Sequence, residues 1–248
     1  MKKLLFPLML LFSFSAYSQL NPMGTMYYQN QYLSNPAMAG VESGWEANAA
    51  YKAQWTAVDG APSMQAVTVA YGAEASKVGV GVSLYNETSG VIQRTNIKGT
   101  FSYHLPLNSG SSNLDFGLSR GVMNEWIDLS KVRGDQSDIN LNNFNQRKLY
   151  LDGDFGIAFR SNGLTVQGAL SNLKRFFDRD VIRTVIGRSS YFGAVSYKFV
   201  NPDKVLNIFE PKVTYRGIDN YRDIIDLGLN AQMWGNKLLL STIYHSTN

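Results

Sequence analysis

Apolar and polar residues alternate along most of this 248-residue chain. Between Trp45 and Trp55 every second residue is apolar, and the residues between them include Glu46 and Lys52. Successive side chains of an extended strand point to opposite faces, so this pattern predicts a strand with one apolar and one polar face. The pattern recurs along the chain. We count about eleven such strands and predict an all-β, antiparallel transmembrane β-barrel of the outer-membrane type, whose strands have roughly this length.

The N-terminus has the features of a secretory signal peptide. Lys2 and Lys3 precede an apolar run over residues 4–14, and Ala16-Tyr17-Ser18 forms a small-x-small cleavage site. The run is shorter than the roughly 20 residues that a spanning helix needs. We therefore predict export, with a mature chain that begins at Gln19.

The chain divides into three predicted regions. They are a signal peptide at 1–18, a periplasmic N-terminal segment at 19–44 and a barrel domain at 45–248. Export together with a membrane barrel predicts the outer membrane of a Gram-negative bacterium as the location.

A soluble secreted β-protein would also alternate, and it stays open as an alternative. Two features favour the membrane barrel. Short and long predicted connections alternate along the chain, and the long ones lie at 126–147 and 173–187. Outer-membrane barrels likewise combine short periplasmic turns with longer external loops. Aromatic residues also lie at strand ends on the apolar face, as in an interfacial girdle. Examples are Trp45, Trp55, Tyr71 and Tyr215.

Charge placement agrees with lipid contact on the apolar face. A Lys or Arg on that face costs about 2 to 4 kcal/mol at the bilayer midplane, and the predicted strands put almost all charges on the other face. Arg120 is the exception, because it shares the parity of Leu114, Phe116 and Leu118. We expect a β-bulge at Arg120 or a position near the membrane interface. Pro211 is also unusual in mid-strand, since it cannot donate to the ladder.

Two motifs resemble the PorP/SprF family of Bacteroidetes type IX secretion outer-membrane proteins. The first is Asn35-Pro36-Ala37-Met38-Ala39-Gly40, and the second is Tyr51-Lys52-Ala53-Gln54-Trp55 followed by Asp59-Gly60-Ala61-Pro62. Leu170-Ser171-Asn172-Leu173 and Glu210-Pro211-Lys212-Val213 are supporting matches. The motif residues become candidates for partner contact: Asn35, Pro36, Ala37, Gly40, Gln54, Trp55, Asp59, Gly60 and Pro62.

The resemblance implies a non-enzymatic outer-membrane barrel that works with the type IX secretion and gliding machinery. Its implied partners are outer-membrane lipids, machinery proteins at the periplasmic face and a secreted or surface-displayed substrate protein. Family members usually continue past the strand at 238–244, so the resemblance also implies a truncated C-terminus and about 12 to 14 strands in a complete barrel.

The first motif has two possible meanings. Asn35-Pro36 favours an extended turn, and Gly40 can adopt a positive φ before the first strand, which would make the motif a structural turn. Alternatively, residues 19–40, which include Tyr27, Tyr28 and Tyr32, fold into the barrel mouth or bind a periplasmic partner. The turn at Asp59-Gly60-Ala61-Pro62 has the same two explanations, structure or partner binding.

The predicted external loop at 173–187 contains exposed aromatics beside arginines, a combination suited to binding hot spots. The candidates are Arg175, Phe176, Phe177 and Arg179. The alternative is that Phe176 and Phe177 pack the loop onto the barrel rim.

Catalysis has little support in the sequence. The chain has two histidines, His104 and His245, no cysteine, and no recognised metal or nucleophile motif, so we predict no catalytic, cofactor or metal site. A Ser-His-acid set that meets across strands stays possible. We expect Asp152 and Asp154 to pair with lumen cations such as Arg160, Lys198 or Lys212.

The charge balance gives no reason to expect nucleic acid as a partner. Removal of the signal peptide lowers the formal charge from +4 to +2, which provides no polybasic surface. A passive porin or transporter remains the second functional hypothesis.

Overall fold

The computed structural model describes residues 26–73, 77–107, 111–132, 144–145, 149–174, 190–202, 205–218, 223–235 and 237–246. The strands form one antiparallel sheet of twelve strands. They are β1 (Gly44–Ala53), β2 (Ser63–Ala73), β3 (Val78–Ser89), β4 (Ile92–Leu107), β5 (Ser112–Ile127), β6 (Tyr150–Ser161), β7 (Leu164–Ser171), β8 (Ser190–Tyr197), β9 (Phe199–Val200), β10 (Leu206–Ile218), β11 (Ile224–Met233) and β12 (Leu238–Ser246).

Four short 3-10 helices are defined among these residues. They are η1 (Met26–Tyr28), η2 (Gln31–Leu33), η3 (Pro36–Met38) and η4 (Leu129–Lys131). None of the helices in the described part of the chain is long and apolar enough to cross a membrane.

Each strand pairs with the next along the chain, apart from β9, which pairs with β10. The short β9 continues the line of β8, because Ser196 pairs with Lys212 and Phe199 with Phe209 in one register. The predicted all-β antiparallel fold is confirmed, with twelve strands in place of about eleven. β1 and β12 are the two edges and do not pair with each other in the described ladder, so hydrogen bonds do not close the sheet.

The two faces of the sheet are inverted relative to a soluble protein. Large apolar side chains are exposed, among them Val82 at 54% and Leu118 at 57%. Charged side chains are buried, and Asp115 and Asp226 both have 0% exposure. Since burial of unpaired charge is costly, the polar face requires an extensive set of ion pairs, whereas the apolar face has the chemistry of a surface that contacts lipid.

Connections differ in length at the two ends of the sheet. At one end, the short-turn end, they span 74–77, 108–111, 162–163, 201–205 and 234–237. At the other, the long-loop end, they span 54–62, 90–91, 128–149, 172–189 and 219–223. The two longest connections lie together at one end as predicted, but 90–91 and 219–223 show that the alternation in length is not strict.

Aromatic side chains border the apolar face at both ends. At the short-turn end the rings of Trp45 and Tyr71 lie 4.9 Å apart, and at the long-loop end those of Tyr191 and Tyr215 lie 5.8 Å apart. Trp55 is exposed but lies beyond β1 with a φ of 54°, so the first strand ends at Ala53 and not at Trp55.

The structure accommodates the two residues that are unusual in their predicted strands, Arg120 and Pro211, in different ways. Of the two expectations for Arg120, the bulge is wrong, because Arg120 pairs with Gly99 of β4 and Gly153 of β6 in an unshifted register. Pro211 pairs with Leu229 on one side, and on the other side the ladder is interrupted between β8 and β9. The residue without an N–H therefore lies where a ladder bond is not required.

Candidate functional site

Residues 26–40, the inner segment, pack against the polar face of the sheet. Gln29 donates to Ser241 Oγ of β12 at 3.5 Å, while the next residue, Asn30, donates to Thr68 Oγ1 of β2 at 2.7 Å. β2 and β12 lie at opposite sides of the sheet order. Because two adjacent residues reach both, the sheet must curl around the inner segment.

Three tyrosines fix the inner segment through their hydroxyls. Tyr27 donates to Asp226, Tyr28 donates to the carbonyl oxygen of Lys212 at 3.0 Å, and Tyr32 donates to Thr100 Oγ1 at 2.7 Å. Burial raises the pKa of all three phenols. The centre of the Tyr27 ring also lies 4.8 Å from the Arg216 guanidinium, and that of the Tyr28 ring lies 5.1 Å from Lys212 Nζ.

The first motif organises the middle of the inner segment. Asn35 has 0% exposure and is the N-cap of η3, since its Oδ1 accepts from the Ala37 N–H at 3.0 Å. Its Nδ2 donates to the Ile157 carbonyl and to Gln167 Oε1, both at 3.2 Å. Pro36 follows at the first helical position, where its missing N–H costs nothing. Asn35 thus joins a helix cap to β6 and β7.

Glycines on the polar face make room for this segment. A Cβ on Gly117 would lie 2.2 Å from the Pro36 carbonyl carbon, and one on Gly72 would lie 2.4 Å from the Gly40 oxygen. Gly40 itself has a φ of +65°, which favours glycine. The same close approach occurs between other pairs: Gly156 with Asn35, Gly81 with Tyr32, Gly79 with Ala39 and Gly228 with Tyr28.

Two buried Asp-His-Arg clusters hold the two ends of the inner segment. Asp115 accepts from His104 Nδ1 at 2.8 Å and from Arg160 Nε at 2.6 Å, and His104 Nε2 lies 3.1 Å from the Ala39 oxygen. Asp226 is the centre of the second cluster. Its partners are Arg216 Nε at 2.7 Å, His245 Nδ1 at 2.5 Å and the Tyr27 hydroxyl. Both histidines of the chain therefore have the same role.

The first cluster includes a Ser-His-Asp set, which we tested as a catalytic arrangement. Ser102 Oγ lies 3.4 Å from His104 Nε2, and Asp115 orients the other ring nitrogen. However, Ser102 has 0% exposure and donates to the Ala39 oxygen at 2.5 Å. The inner segment thus fills the place that a substrate carbonyl would need. Within the described ranges no group of three or more acidic or histidine side chains could hold a metal ion.

The acidic pair on β6 has other partners than those expected. Asp154 accepts from Lys98 Nζ at 2.7 Å, and Asp152 Oδ1 accepts from the backbone N–H groups of Gly153 and Lys174 at 2.8 and 3.1 Å. The expected partners Arg160 and Lys212 pair elsewhere, Arg160 with Asp115 and Lys212 with Glu210.

The second motif lies in the β1–β2 connection at the long-loop end, apart from the first. Gln54 donates its backbone N–H to Pro62 at 3.0 Å, Val58 donates to Trp55 at 2.9 Å, and Gly90 of the β3–β4 turn donates to Gly60 at 2.9 Å. Trp55, Val58 and Asp59 are exposed. The candidate residues thus form two separate sets, one buried and one at the surface.

The external-loop candidates Arg175, Phe176, Phe177 and Arg179 lie outside the described residues. The residue before them, Lys174, has its Nζ 5.4 Å from the centre of the Tyr150 ring.

A comparison with protein families shows which family the chain belongs to. The family model described as type IX secretion system membrane protein PorP/SprF matches residues 16–247. This chain belongs to the PorP/SprF family. The match contains both motifs and every described strand of this PorP/SprF protein. Searches of curated proteins and of solved structures each gave no match.

The alternating pattern predicts the two faces of the PorP/SprF sheet. It does not predict that the inner segment packs against the polar face. The signals for it were the three tyrosines at 27, 28 and 32 and the glycines at positions of polar-face parity, such as Gly117 and Gly156. A glycine where the pattern calls for a polar side chain marks a close backbone approach.

Proposed function

We propose that this protein is a non-enzymatic outer-membrane β-barrel component of the type IX secretion and gliding machinery, with the inner segment as a plug. The observation that carries this proposal is the inverted sheet, apolar outside and polar inside, in a member of a type IX secretion membrane family. Lipid contacts the apolar face and the aromatic residues lie at the two membrane interfaces.

The short-turn end faces the periplasm and the long-loop end faces outward, in the orientation of known outer-membrane barrels. The signal peptide at residues 1–18 and the inverted faces support the outer membrane of a Gram-negative bacterium, and the motifs that resemble Bacteroidetes proteins support that phylum. On this orientation, machinery proteins dock at the short-turn end.

A secreted or surface-displayed substrate protein binds at the long-loop end. The β1–β2 connection supplies exposed apolar side chains there, with Trp55 at 59% and Val58 at 63% exposure. Exposed aromatic side chains in a rigid turn are suited to protein contact. The backbone hydrogen bond from Gly90 to Gly60 at 2.9 Å holds this turn against its neighbour.

The inner segment argues against a passive porin. It contacts strands on all sides of the curled sheet, and many of the described polar side chains that would line a channel are bonded to it or to one another. A water-filled channel needs free polar surface along its length. The same segment covers Ser102 and His104, which supports a non-enzymatic role.

The proposal is tested in the native host with the double variant Trp55→Ser, Val58→Ser. We expect the variant to require detergent for extraction and to keep heat-shifted gel migration, as the wild type does, while surface display of the secreted partner falls several-fold. Trp45→Ser, a change of the same type at the short-turn end, is the matched control and leaves display unchanged. Unchanged display in the double variant would contradict substrate binding at this turn.

Planar bilayer recordings separate the proposal from the porin hypothesis. The wild-type protein is expected to give no steady conductance, because the inner segment fills the polar interior. A stable open channel in the wild type would favour the porin.

A further inference from the structure

One charged side chain lies on the apolar face of the sheet instead of the polar face. Of the Asp, Glu, Lys and Arg residues that the described strands carry, Arg120 alone has the parity of the apolar face. Its side chain is exposed, and its neighbours along β5 on that face, Leu118 and Val122, are 57% and 39% exposed. It forms no ion pair with any acidic side chain among the described residues.

Bare backbone lies on both sides of Arg120. Its cross-strand neighbours are Gly99 on β4 and Gly153 on β6. The nearest atom to a Cβ built on Gly99 is the backbone oxygen of Arg120 at 4.0 Å, and only backbone atoms of Ser119 approach one built on Gly153. No described side chain lies within 4 Å of the Cβ position on Gly99, so the surface has a shallow notch there beside Arg120, whereas the backbone oxygen of Ser119 lies 2.7 Å from the Cβ position on Gly153.

The apolar band ends at the second cross-strand row beyond Arg120. Towards the long-loop end the next cross-strand row is apolar, and the row after it consists of Asn86, Thr95 and Asn124. Thr95 Oγ1 donates to Asn86 Oδ1 at 2.9 Å. The polar row lies four residues from Arg120 along β5, a distance of about 13 Å, whereas an extended arginine side chain covers about 7 Å. With its stem on the apolar face, the guanidinium can therefore reach the level of Val122. The remaining gap to the polar row is about the length of two hydrogen bonds with a phosphate group between them.

We infer that Arg120 anchors a binding site for the phosphate group of a lipid in the membrane leaflet at the long-loop end. This inference rests on the proposed outer-membrane barrel. A guanidinium binds phosphate through two parallel charge-assisted hydrogen bonds. The order along the surface, apolar side chains, then a cation, then amide and hydroxyl groups, matches the order of acyl chain, phosphate and sugar in a phosphorylated glycolipid. Asn124 and Thr95 supply further hydrogen bonds to the headgroup.

A carboxylate of a partner membrane protein is the competing source of negative charge. The exposed apolar surface continues below Arg120 through Leu118 and the neighbouring Phe101, which is 54% exposed. Such a surface accommodates acyl chains of the same molecule that provides the phosphate. The open position at Gly99 also leaves space for those chains beside the stem of Arg120.

The test uses purified full-length protein in detergent, with native mass spectrometry of bound lipid. Wild type, Arg120→Leu and Arg120→Lys are each titrated with phosphorylated lipid A, with the same lipid after removal of its phosphates, and with inorganic phosphate. We expect Arg120→Leu to bind phosphorylated lipid A about tenfold more weakly than wild type, and Arg120→Lys to lie between them. The dephosphorylated lipid should bind all three proteins equally and weakly. Lys131→Leu is the matched control, because Lys131 is a cation at the same end that already pairs with Asp128 at 3.5 Å, and it should leave lipid binding unchanged.

Heat-shifted migration is measured first for every variant. Leucine suits an apolar face, so Arg120→Leu should keep the shift; if it does not, Arg120→Gln replaces it in the same titration. Equal binding of phosphorylated lipid A by wild type and variant would overturn the lipid site, and so would equal affinity for the dephosphorylated lipid. Arg120-dependent binding of inorganic phosphate without preference for the lipid, or loss of a co-purified membrane protein with lipid retained, would also overturn it. A wild type without any heat shift would instead overturn the proposed barrel and the site together.

Discussion

The two family motifs of this chain lie in opposite environments. Asn35 and Ala37 of the first motif have 0% exposure and contact β5, β6 and β7, whereas Trp55 of the second is 59% exposed in a turn. The first is held by side-chain hydrogen bonds and close backbone contacts, the second mainly by its own turn and one neighbouring backbone. Motifs of one family can therefore have unrelated physical roles, the first in packing the interior and the second in presenting a surface.

The largest loss of stability is expected when a larger side chain is placed against the first motif. Gly117→Val places side-chain atoms where the Pro36 backbone lies, 2.2 Å from the position of a Cβ, and neither backbone can move freely. We expect a loss of about 3 kcal/mol in the free energy of unfolding, seen in urea titration of the protein in lipid vesicles.

The matched control for this change is Gly193→Val on the apolar face, where the nearest atom to a Cβ lies 3.9 Å away. It should unfold at the wild-type urea concentration. Equal destabilisation by the two changes would mean that glycine matters to the strands themselves and not to the inner segment.

The second-largest loss of stability is expected from a change in the cluster that holds the end of the inner segment at Ala39. Asp115→Asn leaves Arg160 and His104 without their buried carboxylate, and we expect a loss of about 2 to 3 kcal/mol. The measurement is the same urea titration, with protease cleavage of the inner segment as a second readout.

Asp128→Asn serves as the control for the loss of a carboxylate. The Ser130 hydrogen bonds hold the pKa of Asp128 below its usual value, but Asp128 lies in an exposed connection at the long-loop end. Its replacement should leave the urea midpoint unchanged. A stable Asp115→Asn protein with a protected inner segment would refute the anchoring role of the cluster.

A smaller loss should follow Asn35→Ala. This change removes the cap of η3 and two further hydrogen bonds but leaves the packing of Pro36 in place, so we expect about 1 to 2 kcal/mol. Asn35→Asp keeps the cap acceptor and loses the two donated bonds. If the aspartate variant were as stable as wild type, the contacts to Ile157 and Gln167 would contribute little.

The smallest effect is expected in the second motif. Gly60 has a φ of +78°, and a Cβ there would lie 3.2 Å from the Cα of Gly90, so Gly60→Ala should cost about 1 kcal/mol. Gly90→Ala, with a φ of +62° and no atom within 4 Å, isolates the backbone strain from the contact. A larger loss for Gly60→Ala than for Gly117→Val would reverse the comparison of the two motifs.

The sequence predicted the faces of the sheet well because side-chain direction in a strand depends only on parity. On β10, Glu210, Lys212 and Arg216 have the parity of the polar face, and all three are buried there. Strand ends were less certain, since Trp55 fits the alternation but has the positive φ of a turn. The bulge, one of two expectations for Arg120, assumed that a charge on the apolar face must be turned away, whereas a cation on that face can extend its side chain towards polar groups.

The inner segment could not be derived from periodicity. Its three 3-10 helices are too short to show a pattern, and its contacts join residues far apart in the chain, such as Tyr27 with Asp226. The partners of the buried acids were missed for a related reason. Arg160 of β6 meets Asp115 of β5 because of the register between these strands, and register follows from turn lengths that the alternating pattern does not contain.

The bonds from Gln29 to β12 and from Asn30 to β2 have a consequence for the order of assembly. The inner segment is synthesised before every strand of the sheet, yet Gln29 finds its partner at Ser241 only when the last described strand has formed. Closing a loop of this length is slow compared with pairing neighbouring strands. The Gln29 end of the inner segment therefore finds its last partner at the end of folding, whereas Asn30 and Asn35 bind strands that are made earlier.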